Sequence, residues 1–388
     1  MRAITVLQAA PGVWLEPTQT WLHTQVINLP AHVESHVFCE ATRNLDIFPF
    51  PRIHSLENDS RRMQLTDRLL RKLRVCRHFA WAKRARELGA RLVHSHFGNT
   101  AWEFLPVARA CRARHVVSYY GFDVNRLPRH GPWLPRYAEV FREVDRVLCE
   151  GPHMARCLQE LGCPGGKIVV HHLGVPCHEI PFAPRTWTRN ERLRVLMAAA
   201  FKEKKGLPRG IEALGLLRGS LDLELTIIGG SSPSTEGVAE EEKIHAAIDR
   251  AGLRNRVRLL GYQPHRVLLE EARKHHLFLA PSLTAADGDT EGGAPVTLIE
   301  MAASGIPIVS TRHCDIPGVI EDEVTGLLAP EADTPALAER IERMVKLSDA
   351  WATMLVAGRR RVEESFDART QGVRLAELYA ELVGVSSA

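Results

Sequence analysis

Residues 277–310, LFLAPSLTAADGDTEGGAPVTLIEMAASGIPIVS, decide the fold of this chain. A short apolar strand, a long polar loop, a helix and a second apolar strand follow one another there, which is the order of a βαβ unit. Pro295 suits the first helical turn, because its fixed φ and missing N–H cost nothing at that position. The stretch therefore predicts two neighbouring parallel strands joined through a loop that reaches a helix start.

Apolar, β-branched runs separated by helical stretches occur along the whole chain. They are ITVLQ, RLVHSH, HVVSYY, DRVLCE, KIVVHHL, LRVLMAAA, LELTIIGG, RVRLLG, HLFLAPS, IPIVS and GLLAP. Such alternation predicts parallel sheets, and the strands are too many for one ordinary open sheet. Residues 176–191 carry three prolines and no apolar periodicity, which marks a boundary. We predict an α/β protein with two doubly wound domains, residues 1–185 and 186–369, and a last helix, about residues 370–388, that joins the first.

The start of the helix in the opening stretch has the chemistry of a ligand site. Glu291 and Glu300 bracket a Gly-Gly-Ala-Pro turn, and the glycines let backbone N–H groups approach a ligand closely. A helix N-terminus attracts anions, and ionised carboxylates accept hydrogen bonds from hydroxyl groups. In doubly wound sheets, ligands bind beyond the carboxyl ends of the strands. The sequence thus predicts a site for a phosphate joined to a sugar.

Composition places the chain among soluble globular proteins. The 388 residues are 45% hydrophobic, and no run approaches the roughly 18 apolar residues of a membrane span. The N-terminal MRAITVLQAAPGVWLEP is compatible with a signal peptide, but ITVLQAA reads better as the first buried strand. The eight cysteines include no CxxC pair, which favours a reducing cytoplasm without a disulfide framework or zinc site.

A basic segment runs through residues 60–91, from Ser60 to Arg91, and reads SRRMQLTDRLLRKLRVCRHFAWAKRARELGAR. The simpler interpretation is an amphipathic surface helix. The alternative is a basic face that meets anionic lipid headgroups or a phosphate-bearing acceptor, at the inner face of the membrane. We expect no nucleic-acid partner, because no recognised binding motif accompanies the basic residues.

Several motifs in order resemble a known family. In the second half they are LMAAAFKEKKGLPRGIEAL, LTIIGG, LFLAPS, DGDTEGGAPVTLIEMAASGIPIVST and DEVTGLLAP. They resemble the retaining glycosyltransferases of family 4, which have the GT-B fold of two facing Rossmann-like domains with a cleft between them. In the first half, EPTQTWLHTQVINL, VHSHFGNTAWEF, YYGFDV and VDRVLCEGPHMARCLQELGCPGGKIVVHHLGV resemble the branch that builds exopolysaccharides. The resemblance implies a nucleoside-diphosphate sugar as co-substrate, a saccharide or lipid-linked saccharide acceptor, and no metal or other cofactor.

The resemblance assigns the donor-binding residues to the second domain. Lys205 matches the lysine that holds the donor diphosphate, Glu291 would face the transferred sugar, and Glu300 would bind the nucleotide ribose. The expected donor-binding set is Lys205, Gly206, Gly229, Tyr262, Glu291, Gly292, Gly293, Ala294, Pro295, Val296, Thr297 and Glu300. Two departures stand out. Ala199 and Ala200 replace a Gly-Arg pair, for which Lys202 or Lys204 could substitute, and the two glutamates are one residue further apart than usual.

The resemblance assigns the acceptor side to the first domain. Tyr120 stands at a position where the family often has histidine, and Asp123 is retained. The expected acceptor-side residues are Thr18, Thr20, His96, Tyr120 and Asp123, and the expected catalytic residues are Glu291, Lys205, Asp123 and Tyr120. A tyrosine is a poor general base at neutral pH, since its pKa is near 10. Alternatives remain open: Asp123 could cap the next segment, and Thr18 or Thr20 could be a helix N-cap.

Three further patterns carry less weight. Asp287-Gly288-Asp289 could bind Mg²⁺ or Mn²⁺, but its place directly before the turn favours a loop. His94-Ser95-His96 lacks a third metal ligand in the sequence, and a polar strand end is the better interpretation. Gly229-Gly230 is not followed by the rest of a GxGxxG fingerprint, so NAD binding is not expected.

We therefore predict a glycosyltransferase acting in polysaccharide or glycolipid biosynthesis. One alternative is a sugar-nucleotide epimerase or hydrolase on the same fold. A second is a weakly active sugar-nucleotide-binding subunit, which Ala200 and Tyr120 motivate.

Overall fold

The computed structural model describes residues 3–10, 12–16, 19–72 and 78–385. The chain divides into two compact units. Unit 1 comprises Met1–Gly174 and Ala368–Ala388, and unit 2 comprises Val175–Asp367. The division between the two units thus falls after Gly174, and not after residue 185 as the sequence predicts.

Unit 1 is built on a seven-stranded parallel sheet, whose spatial order is β5-β3-β1-β6-β7-β8-β9. Its strands, with the short pair β2 and β4 beside them, are β1 (Ile4–Ala9), β2 (Val13–Trp14), β3 (Val33–Cys39), β4 (Ala41–Thr42), β5 (Ile53–Ser55), β6 (Leu92–His96), β7 (Arg114–Ser118), β8 (Arg146–Cys149) and β9 (Ile168–Val170). The helices between them are α1 (Thr20–Ile27), α2 (Arg61–Lys72), α3 (Phe79–Glu87), α4 (Gly98–Cys111), α5 (Trp133–Glu143) and α6 (Pro152–Glu160). The order of strands reverses between β1 and β6, which defines the switch point of this sheet.

Unit 2 has a six-stranded parallel sheet in the order β12-β11-β10-β13-β14-β15, the strand order of a Rossmann fold. Its strands are β10 (Leu193–Ala198), β11 (Leu223–Ile228), β12 (Val257–Leu259), β13 (Leu277–Ala280), β14 (Ile308–Thr311) and β15 (Leu327–Ala329). Its helices are α7 (Leu207–Leu217), α8 (Thr235–Arg250), α9 (His265–Lys274), α10 (Val296–Ser304), α11 (Ile316–Val319), α12 (Thr334–Lys346) and α13 (Trp351–Ser365). Apolar side chains from both faces of this sheet form its two cores.

The last helix, α14 (Ala368–Val383), belongs to unit 1. Leu375 and Tyr379 of this helix are buried against Ile4 and Val6 of β1 and Leu92 of β6. The apolar face of α14 therefore completes the core of unit 1.

The predicted α/β architecture of two Rossmann-like parallel sheets is confirmed. All the predicted runs form strands, but the sheet of unit 1 also contains β3 and β5, and neither these two strands nor the short pair β2 and β4 were predicted from the sequence. The basic segment is also not one helix: it contains α2 and α3, with residues 73–77 outside the described part.

The switch point of unit 2 lies between β10 and β13. The loops that follow these two strands carry Lys205 and Glu291. The strand order therefore brings both residues to the crevice beyond the carboxyl ends, where α/β sheets bind their ligands. No helix in the part of the chain that the structure describes is long and apolar enough to cross a membrane.

Candidate functional site

Lys205 is held in place by the glycine that follows it. Gly206 is the N-cap of α7 and has a φ of +63°, and a Cβ there would lie 1.9 Å from the carbonyl oxygen of Pro281. Leu283 N–H also donates to the carbonyl oxygen of Lys204 at 2.9 Å. Because only glycine permits this approach, the lysine loop packs directly on the chain that leaves β13.

Lys205 and Glu291 form an ion pair, with Lys205 Nζ 2.7 Å from Glu291 Oε2. The side chain of Glu291 is 5% exposed, and Ser282 Oγ donates to its Oε1 at 2.8 Å. Burial acts to raise the pKa of Glu291, but the charges of Lys205 and Lys204 and the hydrogen bonds lower that pKa overall. Glu291 is therefore ionised at neutral pH, and both of its oxygens have a donor.

The start of α10 offers backbone donors beside this pair. The helix begins at Val296, so Pro295 is the N-cap residue and not part of the first turn as predicted. Gly292 has a φ of +79°, which favours glycine, and its N–H donates to Thr290 Oγ1. Within the described residues, no acceptor is found for the N–H groups of Gly293, Ala294, Val296 and Thr297. Free N–H groups at a helix start suit an anion.

Glu300 lies in the first turns of α10 and has a partner, His265, that was not predicted from the sequence. His265 Nε2 is 2.8 Å from Glu300 Oε1, and Glu300 is buried. The hydrogen bond with Glu300 raises the pKa of His265. His265 is the first residue of α9, so its position after the short strand β12 was the only signal in the sequence.

Gly229 and Tyr262 lie at the ends of β11 and β12. A Cβ on Gly229 would lie 1.8 Å from the carbonyl oxygen of Ala199, and its N–H donates to Gly261. Tyr262 is 56% exposed, and its ring carbons would lie 3.0 Å from a Cβ on Gly230. The glycines thus allow the loops after β10, β11 and β12 to pack closely, and Tyr262 offers an exposed aromatic ring there.

The acidic loop before the turn is an internal ion-pair structure. Lys204 Nζ is 3.1 Å from Asp289 Oδ2 and donates to the carbonyl oxygen of Thr290, while Asp287 accepts from the N–H of Asp289. Lys204 is therefore paired within the acidic loop and does not replace the missing arginine. Lys202 is exposed. The described residues include no group of three or more His, Cys, Asp or Glu side chains placed to hold a metal ion.

In unit 1, Asp123 is fully buried and bound to the backbone. Its Oδ2 accepts from the N–H of Gly98 at 2.8 Å and its Oδ1 from the N–H of Tyr120 at 2.9 Å. Burial, which outweighs these hydrogen bonds, raises the pKa of Asp123 to about 6. The carboxylate therefore accepts from the first residue of α4, which precedes Asp123 in the chain, whereas the structural alternative left open by the sequence was a cap of the segment that follows Asp123.

Tyr120 lies in a buried polar network with His96. Its Oη is 2.7 Å from His96 Nδ1, and His96 Nε2 is 3.1 Å from Gln8 Oε1. Because Gln8 Oε1 can only accept, His96 Nε2 carries the proton and Tyr120 donates to Nδ1. Burial lowers the pKa of His96 to about 3 and raises that of Tyr120 well above its ordinary value. Both side chains are neutral, and Trp21 packs on the Tyr120 ring at 4.1 Å between centroids.

Of the two remaining residues predicted for the acceptor side, the structure describes Thr20, and the neighbouring His94 of β6 belongs to the same sheet as His96. Thr20 is the first residue of α1 and Gln19 is its N-cap, so Thr20 is not the cap. Thr18 lies outside the described residues. His94 hydrogen-bonds Tyr379 Oη and Ser118 Oγ, and burial lowers its pKa well below the ordinary value. These contacts make the His94-Ser95-His96 end of β6 a neutral hydrogen-bonded core.

The two Rossmann-like units, with a lysine and a carboxylate at the switch point of the second, define the GT-B class of glycosyltransferases. Residues 182–361 match the family described as Glycosyl transferases group 1, and residues 19–179 match Glycosyltransferase Family 4. The chain belongs to the family 4 glycosyltransferases, as its motifs predicted.

Two similar proteins come from exopolysaccharide systems. The amylovoran biosynthesis glycosyltransferase AmsK of Erwinia amylovora is 32% identical over 75% of this chain and 70% of its own length. The putative colanic acid biosynthesis glycosyltransferase WcaL of Escherichia coli (strain K12) is 34% identical over 70% of this chain and 65% of its own length. The chain thus spans about two thirds of these relatives.

Solved structures share the fold at low identity. A glycosyltransferase from Rickettsia africae superposes with a TM-score of 0.78 at 16% identity and full coverage of both chains. Anabaena Alr3699/HepE in complex with UDP gives a TM-score of 0.77 at 16% identity, over 97% of this chain and 100% of the other. Both likenesses establish the fold.

Proposed function

We propose that this chain is a retaining, metal-independent glycosyltransferase, which moves a sugar from a nucleoside-diphosphate sugar to an acceptor hydroxyl. The observation that carries the proposal is the pair of Lys205 and Glu291 beside the free N–H groups of the α10 start. One charged donor, one buried carboxylate and a row of backbone donors lie together at a switch point. That combination suits a diphosphate joined to a sugar.

In the proposed reaction, the positive groups stabilise the charge that develops on the leaving diphosphate. Lys205 Nζ and the N–H groups of Gly293, Ala294, Val296 and Thr297 supply this stabilisation, so no metal and no other cofactor is needed. Bound diphosphate competes with Glu291 for Lys205. Glu291 then turns to the hydroxyl groups of the transferred sugar.

Glu300 would accept hydrogen bonds from the ribose hydroxyls of the nucleotide. Its Oε1 is held by His265, which fixes the carboxylate and leaves Oε2 for the ligand. Gly206, Gly229, Gly292, Pro295 and Tyr262 shape the loops around the nucleotide.

The acceptor hydroxyl would attack on the face from which the diphosphate departs, and the diphosphate would accept its proton. This front-face course retains the configuration of the sugar. Tyr120 and His96 are neutral, so their proposed role is to hydrogen-bond the acceptor and not to remove its proton. Thr20 would bind the acceptor from the first turn of α1, Thr18 stays a predicted acceptor contact outside the described residues, and Asp123 would shape the site through Tyr120 and Gly98.

The names of the relatives support a place in exopolysaccharide biosynthesis, with a saccharide or lipid-linked saccharide as acceptor. A lipid-linked acceptor would require the enzyme to work on the inner membrane face from the cytoplasm. Helix α2 supports this part of the proposal, because Leu65 and Leu69 are 63% and 56% exposed among exposed basic residues, which are Arg61, Arg62, Arg68 and Lys72.

The proposal is tested by sugar transfer from a panel of UDP- and GDP-sugars to saccharide and lipid-linked saccharide acceptors. Lys205→Ala should lower turnover about a hundredfold or more, as expected for the loss of a charged group that stabilises the leaving group. Lys346→Ala is the control, because this lysine is 62% exposed and pairs with Glu342 on its own helix, α12. Equal turnover of the two variants would remove Lys205 from the mechanism.

Two other functions have distinct outcomes in the same assay. Epimer or free sugar formed quickly without acceptor would favour an epimerase or hydrolase. Donor binding with no product on any acceptor would favour a binding subunit. The anomeric configuration of the product, read by NMR, tests retention, and turnover in EDTA tests independence from metal.

A further inference from the structure

A buried histidine lies behind the peptide of Glu291. His313 follows β14 and is 2% exposed. Its Nε2 lies 3.2 Å from the backbone nitrogen of Glu291, which donates to it. The resemblance to the family assigned no role to this residue, and its partner lies 22 positions away in the sequence.

The contacts of His313 define its tautomer. Nε2 accepts the N–H of Glu291, and the sulfur of Cys314 is also 3.2 Å from it. Burial raises the pKa of Cys314 to about 12, so this thiol is protonated and can donate as well. Nδ1 on the other side of the ring contacts a carboxylate oxygen of Glu331. Only the neutral ring with its proton on Nδ1 can accept the N–H of Glu291 at Nε2 and donate to Glu331 at the same time.

Glu331 fixes the far side of the ring. It follows β15 and also accepts from the N–H and hydroxyl of Thr284, each at 3.2 Å. Thr284 lies on the loop after β13, and His313 lies after β14. The chain Thr284–Glu331–His313–Glu291 therefore links the carboxyl ends of three neighbouring strands of unit 2.

We propose that His313 is a positioning residue for Glu291, with Glu331 orienting the imidazole. Lys205 and Ser282 hold the Glu291 carboxylate, whereas His313 holds the Glu291 backbone. The histidine thereby sets the direction of a carboxylate that must release Lys205 and meet the transferred sugar. This inference rests on the proposed function of Glu291, but the hydrogen bond on which it depends can be measured without any reaction.

The first experiment measures the hydrogen bond itself. In His313→Phe the ring remains but the acceptor is lost, whereas in His313→Gln the carbonyl oxygen can stand near the place of Nε2. Hydrogen–deuterium exchange of overlapping peptides across residues 288–297 should be about tenfold faster at Glu291 in His313→Phe, and closer to wild type in His313→Gln. His275→Phe is the matched control. His275 is equally buried, but it lies before β13, at the end of the strand away from the site, and its Nδ1 contacts the carbonyl oxygen of Glu271.

The second experiment separates positioning from a general structural role. UDP and GDP lack the transferred sugar, so the nucleotide that binds wild type should bind His313→Phe with a Kd within about twofold. Turnover of the matching UDP- or GDP-sugar should fall about tenfold, with partial rescue in His313→Gln.

Unchanged exchange at Glu291 in His313→Phe would overturn the inference. Parallel losses of nucleotide binding and turnover would also overturn it, since they would mean that unit 2 as a whole is damaged. A wild-type protein with no transfer activity would instead refute the proposed function, and the exchange result would then stand alone as evidence on the hydrogen bond.

Discussion

Lys205 Nζ and Glu291 Oε2 lie 2.7 Å apart on the two loops that leave the switch point of unit 2. Each neutralises the other in a partly buried position, where a lone charge would be costly. A bound diphosphate can replace Glu291 as the partner of Lys205. Sugar hydroxyls can then donate to the Glu291 carboxylate. The ion pair thus keeps both groups charged and ready for a ligand that carries both chemistries.

Replacement of Lys205 should make the free energy of unfolding less dependent on pH in the acidic range. The pKa of Glu291 is lowered in the folded protein, so its contribution to stability is present above the ordinary glutamate pKa and is lost as pH falls through the folded value. Lys205→Met removes most of this contribution and should cost about 1–3 kcal/mol at pH 7, with a smaller cost at pH 3.5. Thermal unfolding of both proteins across this range measures the difference. An equal loss of Tm at both pH values would contradict the assignment, and Lys346→Met controls for the loss of a surface charge.

Gly206→Ala should displace the lysine loop. The new Cβ meets the carbonyl oxygen of Pro281 and the residue must keep a φ of +63°, so we expect a loss of about 2–4 kcal/mol. Donor affinity should fall as well, since Lys205 moves with the loop. Gly219→Ala is the control, because Gly219 follows α7 without a positive φ and has no atom within 4 Å of the added Cβ. A Gly206→Ala protein with the Tm and donor affinity of Gly219→Ala would show that the close approach is unimportant.

His265 should make stability fall slightly as pH rises. Its pKa is raised by Glu300, so the stabilising contribution is complete below the ordinary histidine pKa of about 6.5 and is lost as pH rises through the folded value. The side chain is 40% exposed, so the contribution is about 0.5 kcal/mol. The difference in Tm between wild type and His265→Gln, measured from pH 5.5 to 8.5, should shrink toward the alkaline end. The KM for the donor should rise in the variant, and a difference in Tm that grows with pH would refute the pairing.

Asp123→Asn tests whether Asp123 acts through the backbone. Its carboxylate accepts two buried N–H groups, but an amide has only one acceptor oxygen, so one donor loses its partner at a cost of about 1–3 kcal/mol. Because the pKa of Asp123 is raised to about 6, wild-type stability falls as pH rises from about 4 to 6, and the variant lacks this fall. Thermal unfolding over this range reports the effect. A loss of turnover with an unchanged Tm would show instead that Asp123 acts on the substrates directly.

The sequence was sufficient for the parts of the fold that depend on local pattern. Continuous apolar runs predicted the strands of unit 2, and the turn before α10 marked the candidate site. Strand β3 was missed because its middle is polar. Ser35 and His36 are buried there, and they are satisfied by Gln8 and His54 on the neighbouring strands.

The supporting histidines could not be predicted for a related reason. His265 and His313 belong to no motif in the sequence. His265 contacts Glu300, 35 positions away, and His313 contacts Glu291, 22 positions away. Asp123 was predicted from the resemblance, but only the structure shows that backbone N–H groups donate to both of its oxygens. Local pattern predicts elements and glycine turns, whereas the partners of polar side chains depend on the tertiary fold.

The membrane part of the proposal depends on helix α2. Leu65 and Leu69 are four residues apart and so lie on one face, and both are more than half exposed. The basic residues of the same helix are worth about 1 kcal/mol each near an anionic surface at low salt. We expect the protein to co-sediment with vesicles that contain phosphatidylglycerol and not with purely zwitterionic vesicles. Leu65→Ser with Leu69→Ser should weaken this binding about tenfold or more, because two leucine side chains no longer enter the lipid.

Leu216→Ser is the matched control for this experiment, since Leu216 is 62% exposed but lies on α7 of unit 2. Its binding to the vesicles should equal that of wild type. High salt should weaken the binding of wild type and control together, because the basic residues are then screened. Equal binding of the α2 variant and the Leu216→Ser control would show that α2 does not enter the lipid. Absence of binding to anionic vesicles at low salt would remove the membrane from the proposal, and the acceptor would then have to reach the enzyme in solution.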